Sequence, residues 1–258
     1  MQLIPYAGPL WSGSLPHEAL LELLITTDAL IVMRNGAPPY PLVLGVPHQA
    51  RIGVDRIAAD WVNPSGQEGR PSDEGAALYA MAAYEQVSAL GLRCKLVIAA
   101  HATDHDPNKA LDSPYCTEIF AQPSRLLFEC HGAGPARRHA LELSAGTNAL
   151  ADPKRFGAAL ARHLAWKYAV VAQLAPGSAE AVSIHADGVQ RTTCLSLPAL
   201  NTTSLAYAAD RGVHALHLEA RPLFRAQEGA PNALPAAGRR LGQAIAASCR
   251  EYLSEGCS

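Results

Sequence analysis

The chain has 258 residues, 49% of them hydrophobic and 17% charged, enough to bury a sizeable core as one large α/β domain or two small ones. A formal net charge of −2 excludes a sequence-wide electrostatic case for nucleic acid or an anionic membrane, and leaves a small-molecule substrate open. Six scattered cysteines with no CxxC pair exclude a zinc ribbon and a small disulfide scaffold, and they suit reduced thiols in a cytosol.

The opening "MQLIPYAGPLWSGSLP" lacks a basic region followed by a long apolar run. No segment reaches the roughly 18–20 apolar residues of a membrane span, so a soluble, cytoplasmic protein is expected. Strands are predicted at "ALIVMR" (29–34) and "PLVLGVPH" (41–48). A helix is predicted over "PSDEGAALYAMAAYEQVSALGLR", with Ser72 or Asp73 as N-cap and Gly91 just past its end. Strands follow at "CKLVIAAH" (94–101), "RLLFECHG" (125–132) and "ALELS" (140–144). "ADPKRFGAALARHLAWKYAV" reads as a helix with Asp152 as N-cap and Pro153 in its first position. Two further strands, "VSIHAD" (182–187) and "VHALHLEARP" (213–222), precede a C-terminal helix whose Leu241, Ile245, Cys249 and Leu253 make one apolar face. The Pro/Gly-rich stretches 63–71 and 226–238 read as surface loops. Short β-rich runs alternating with helices predict a mixed, mainly parallel sheet with helices on both faces, in a single domain spanning 1–258.

In such sheets ligands bind beyond the carboxyl ends of the strands. Three strands carry polar residues there: His48, His131 and Glu219. Two imidazoles, a carboxylate and an open position suit a catalytic zinc, although any one strand-end histidine, taken alone, is more often a hydrogen-bonded packing residue. No HExxH or HxxE motif is present, because Arg51 stands three residues after His48. "AAHATDHDPNKALDSPYC" concentrates two histidines, three aspartates and Asn108-Lys109. This stretch reads either as a metal-binding loop or as a turn in which Asp106 and Asn108 cap their own backbone.

The motifs "VLGVPH", "SDEGAAL", "HDPNK", "LLFECHG" and "GVHALHLEARPLF" together resemble the N-formylglutamate amidohydrolase family, itself distantly similar to zinc carboxypeptidases, in family order over about residues 40–225. The resemblance implies a zinc-carboxypeptidase-like α/β fold with His48 and His131 as zinc ligands. Asp73 stands in for the missing glutamate, with Glu74 as the weaker substitute; N-capping alone explains Asp73 equally well. Glu219 matches the Glu of E-x-N-R and is implied to be the general base and later acid; an ordinary strand pair with Arg221 is the bland alternative. Asn108-Lys109 aligns with the Asn-Arg that grips a substrate carboxylate. Lysine is a point charge rather than a planar fork, which implies looser recognition. Arg221 and Pro222 depart from the family's Asn and Arg, and Arg221 is kept as a substrate-binding candidate. Glu129, two residues before His131, shares its strand face and suits a supporting carboxylate. Cys130 points the other way, into the core. His101 and His105 flank the Asn108 loop, and "LSLPALNTTSLAYAADRG" (195–212) is expected to be a polar loop near substrate. Arg137 or Arg138, just after His131, would steady an oxyanion.

The implied activity is zinc-dependent hydrolysis of the amide of an N-acyl amino acid or a related small carboxylate. The alternatives are a carboxypeptidase-like or other deacylase, and a metal-free small-ligand binding protein that kept the fold. The sequence leaves the oligomeric state open.

Overall fold

The computed structural model describes residues 10–12, 17–26, 30–49, 66, 68–69, 72–101, 103, 105–134, 140–146, 150–164, 184–186, 202–225 and 234–255. Eight strands form one sheet: β1 (Leu10–Ser12), β2 (Leu30–Asn35), β3 (Leu42–Val46), β4 (Cys94–Ala99), β5 (Leu126–Gly132), β6 (Leu141–Ser144), β7 (Ile184–Ala186) and β8 (His214–Ala220). The helices are α1 (His17–Thr26), α2 (Ala76–Ala89), α3 (Pro114–Ile119), α4 (Pro153–Leu164), α5 (Thr203–Asp210) and α6 (Ala236–Glu255), with a 3-10 turn at Pro222–Phe224. The strand order is β1-β2-β4-β3-β5-β8-β6-β7. Pairing is parallel except between β2 and β4 and between β6 and β8.

All seven predicted strands are present, each trimmed at one or both ends, and the mixed, mainly parallel sheet agrees with the sequence reading. The central strands carry apolar residues on both faces because both faces are covered. One face packs Leu42, Leu44, Phe128, Cys130, Leu216 and Leu218 with α2, α4 and α6. The other packs Val43, Val97, Leu127 and Ala215 with residues of α3 and α5, among them Tyr115, Ile119 and Leu205. Leu241, Ile245, Cys249 and Leu253 are all buried, as their spacing requires.

Helix boundaries show where local signals are outweighed. At α4, Asp152 Oδ1 accepts from Arg155 N–H at 3.0 Å, which makes Asp152 the N-cap. At α2 the expected Ser72 or Asp73 cap is replaced by Gly75, in the left-handed region at φ 83°. A Cβ at Gly75 would lie 2.3 Å from the Arg225 carbonyl oxygen, so conformation and space both require glycine. The helix starts two or three residues later than expected, and the Asp73 side chain is instead drawn to two histidines. The expected polar loop at 195–212 is a helix over Thr203–Asp210, and residues 236–238 of the expected loop at 226–238 open α6. β1, α1 and α3 were not anticipated.

The order of connections locates the site. From β3 the chain passes through α2 to β4 on one side, whereas from β5 it runs to strands on the other side. Adjacent parallel strands whose continuations diverge leave a crevice beyond their carboxyl ends. His48 follows β3 there, and His131 ends β5.

Candidate metal centre and catalytic site

β3 ends at Val46, and Pro47 turns the chain so that His48 sits 1% exposed at the strand end. The loop is stapled to the start of α2 by two hydrogen bonds. Asp73 N–H donates to the His48 carbonyl at 2.6 Å, and Ala77 N–H donates to Gln49 Oε1 at 2.8 Å. With no HxxE available, these bonds bring a carboxylate from a different element to the first histidine. On the far side, Tyr79 of α2 donates its hydroxyl to the His131 carbonyl at 2.9 Å, tying the end of β5 to the same helix.

His48, Asp73 and His131, the three residues expected to hold metal, are brought together. His48 Nδ1 lies 3.3 Å from Asp73 Oδ2, His131 Nδ1 lies 3.1 Å from the same oxygen, and the two Nδ1 atoms are 3.1 Å apart. Zinc bonds of about 2.0–2.2 Å in tetrahedral geometry place neighbouring ligand atoms roughly 3.3–3.5 Å apart, so these donors fit one zinc-sized ion with little movement. The outer ring nitrogens face carboxylates: His48 Nε2 is 2.8 Å from Asp106 Oδ1, and His131 Nε2 is 3.8 Å from Glu129 Oε2. A carboxylate behind each imidazole orients the ring and raises its basicity toward metal.

Asp106 therefore does more than turn its own backbone. Its carbonyl does accept from Lys109 N–H, but its carboxylate is committed to His48. The signal was available in "HDPNK"; only the tertiary fold could say which histidine it served. Glu74 contributes its carbonyl to Arg225 and is absent from the grouped donors, which include Asp73.

Glu129 is fully buried. Its Oε1 accepts from Tyr115 at 2.9 Å and from Ser204 at 2.8 Å, which leaves Oε2 directed at His131. Ser204, expected in a substrate loop, thus serves a carboxylate behind a candidate metal ligand. Gly45 lies opposite Glu129 in the sheet register, and a Cβ there would fall 2.1 Å from the Tyr115 hydroxyl. Gly45→Ala is expected to cost about 1–3 kcal/mol through overpacking, a fall in Tm of roughly 5 °C, and to weaken zinc retention roughly tenfold as Glu129 loses a partner. Thermal melts and competitive chelator titration measure the two effects.

Charge in the cluster is strongly coupled. Burial raises the Asp73 carboxyl, but hydrogen bonds and the positive charge of His131 and His48 hold it well below the usual carboxylate range. Burial pulls His131 down, whereas the hydrogen bond to Asp73 and the nearby carboxylates of Glu129 and Glu219 lift it to about 9. Burial likewise opposes ionisation of Glu129 and Glu219, and the neighbouring histidines reverse it, so both are lowered. Buried anions around two imidazoles favour a cation, whether a proton or a metal ion. Burial also pushes the Cys94 and Cys116 thiols up to about 12 and Cys130 further, which leaves these thiols poor metal ligands.

Glu219 is 5% exposed on β8, directly opposite His131 in the register. Its Oε1 pairs with His217 Nε2 at 2.9 Å and not with Arg221, and its Oε2 has no hydrogen-bond partner. His217 was missed by the sequence reading, although H-x-E two apart on a strand signals one face. Glu129, His131 and His217 also lie close enough to suggest a second chelating group. However, the His131 and His217 rings stack at 3.9 Å and 20°, so their in-plane lone pairs run side by side instead of converging.

Asn108 is 2% exposed, with its Oδ1 buried and without a hydrogen-bond partner. Lys109 Nζ is partly exposed, 3.3 Å from Asp106 Oδ2, which puts a cation beside the His48 support. Arg221 follows β8 at its carboxyl end, with Nε buried and unpartnered. Arg137 and Arg138 lie outside the described residues. His101 is partly buried and His105 exposed. Arg225 fastens the whole rim, donating to the carbonyls of Ala220, Glu74 and Ala133. A separate cavity of about 530 Å³ opens at the amino ends of β3, β4 and β5, lined by Pro41, Leu92, Arg93, Arg125, Arg250 and Leu253. It lies a strand length from the grouped His48, Asp73 and His131.

No family model matches the sequence, and no curated protein matches it. Among solved structures, a metallo-carboxypeptidase from Burkholderia cenocepacia superposes with a TM-score of 0.50 at 12% identity, over 94% of this chain and 69% of that one. An N-formylglutamate amidohydrolase from Ralstonia eutropha JMP134 gives 0.48 at 13% identity, over 89% and 99%. A bacteriophage poly-gamma-glutamate hydrolase gives 0.47 at 14% identity, over 93% and 97%. The chain has the fold of the metallo-carboxypeptidase, which is the architecture that the resemblance of its motifs implied.

Proposed function

We propose that the protein is a zinc-dependent amidohydrolase that cleaves the amide of an N-acyl amino acid, N-formylglutamate-like, or of a related small carboxylate. The observation that carries this reading is the convergence of His48 Nδ1, Asp73 Oδ2 and His131 Nδ1 within 3.3 Å, with Glu219 facing His131 from the next strand. Zinc bound there would polarise the scissile carbonyl and acidify water.

The chain's own residues supply the remaining steps. Glu219 Oε2, which has no hydrogen-bond partner, takes the proton of the attacking water and returns it to the leaving amine. Asn108 and Lys109 hold the substrate carboxylate and so align the acyl group. Because Lys109 is a point charge already shared with Asp106, selection among amino-acid side chains is loose. Arg221 contributes a second cation at the end of β8, and Arg137 is the candidate for steadying the oxyanion.

The partner is thus a small molecule, with neither nucleic acid nor membrane involved. No helix among the described residues is long and apolar enough to cross a membrane, and Cys94, Cys116, Cys130 and Cys249 are buried free thiols, which supports a cytoplasmic setting.

The test is metal analysis of the purified chain combined with a screen of N-acyl amino acids and their carboxamides. Stoichiometric zinc is expected, together with faster turnover of the free carboxylates. A sample without zinc that gains no activity on zinc addition would sink the proposal and favour a binding protein.

A further inference from the structure

β5 and β8 carry mirror-image pairs on one sheet face. The order is Glu129 then His131 on β5, and His217 then Glu219 on β8. The parallel register sets Glu129 opposite His217 and His131 opposite Glu219, so acid and imidazole alternate along and across the strands. All four residues are at most 5% exposed. Cross-strand neighbours at this spacing interact directly.

We propose that His217 is a positioning residue for Glu219, fixing which carboxylate oxygen meets the reacting water. His217 Nε2–H donates to Glu219 Oε1 at 2.9 Å, which leaves Oε2 as the oxygen without a partner. The terminal torsion of a glutamate is broad and roughly two-fold, so without that donor the two oxygens exchange roles and the carboxylate loses a single aim. The His217 ring is itself held, stacked on His131 at 3.9 Å. One imidazole therefore touches both the candidate metal donor and the proposed base. The inference rests on the reading of Glu219 as general base.

The test compares His217→Gln with His217→Leu. Glutamine's amide nitrogen reaches about as far as Nε2 and can donate; leucine fills similar space without a donor. With N-formyl-L-glutamate as the probe, His217→Leu is expected to lower kcat roughly 10- to 100-fold, with KM and zinc content unchanged. His217→Gln is expected to recover most of that loss. A second readout is independent of turnover. In metal-free protein with 15N-labelled histidine, His217 should show an Nε2-protonated ring with a downfield N–H proton that vanishes in Glu219→Ala.

A purely structural role moves Tm equally in both variants and leaves kcat equal between them, which overturns the inference. So does zinc loss in His217→Leu, or absence of the downfield proton. A fully active Glu219→Gln removes Glu219 as general base, and with it this inference; failure of the wild type to hydrolyse any of the screened N-acyl amino acids removes the amidohydrolase reading instead, and the NMR signal then decides the role of His217 alone.

Discussion

Glu219→Gln is expected to lower turnover roughly 10³-fold or more while zinc remains stoichiometric. Glutamine preserves size and can still accept from His217 through its amide oxygen, so the pair at 2.9 Å survives and the fold changes little. What disappears is proton affinity at the second position, the oxygen that has no partner. Because the residue lies opposite His131 in the register without belonging to the three grouped donors, the metal content should not fall. Stopped-assay kinetics with metal analysis on the same preparation measure both quantities. Near-normal turnover would remove Glu219 from the chemistry and return it to a sheet-lining role.

His131→Ala is expected to abolish zinc retention on dialysis and, with it, activity. His131 supplies one of three donors, and two ligands hold zinc far more weakly than three. The same change removes the cation around which Asp73, Glu129 and Glu219 are arranged. Breaking a buried charged cluster on one side costs about 3–5 kcal/mol, a fall in Tm of roughly 10 °C or more. The sign with pH follows from the shifts in the metal-free protein. The carboxylates are lowered, so the stability they contribute is present above their ordinary range and lost in acid. His131 is raised to about 9, so its contribution is present below about pH 6.5 and lost as pH rises through 9. The variant should therefore lose most of its stability deficit relative to wild type as pH rises past 9. Full zinc content in His131→Ala would take His131 out of the site.

The resemblance in the sequence named three residues that the fold brings together, His48, Asp73 and His131, for reasons that are local. His48 and His131 close apolar strands, and a polar residue at the end of a buried strand is visible in one dimension. Asp73 was harder to place, because an aspartate before a helix is ordinarily a cap, and the competing tertiary role appears only where the His48 carbonyl meets Asp73 N–H. Asp106 and His217 were legible as residues but not as partners: nothing in "HDPNK" names His48, and nothing in "HALHLE" says that the ring rests on His131. Ser204 read as substrate-facing, yet its hydroxyl belongs to Glu129.

By itself the sequence determined the alternation of strands and helices, the mixed and mainly parallel sheet, the apolar face of the last helix and the strand ends where polar chemistry begins. These follow from periodicity, capping and chain stops, which act over a few residues. The tertiary structure alone decided the strand order, the delayed start of α2 at Gly75, and the pairing of each imidazole with its own carboxylate. Those pairings join residues up to 58 positions apart, and they depend on which strand lies beside which, a choice made by packing on both faces of the sheet and left open by any local stretch of chain.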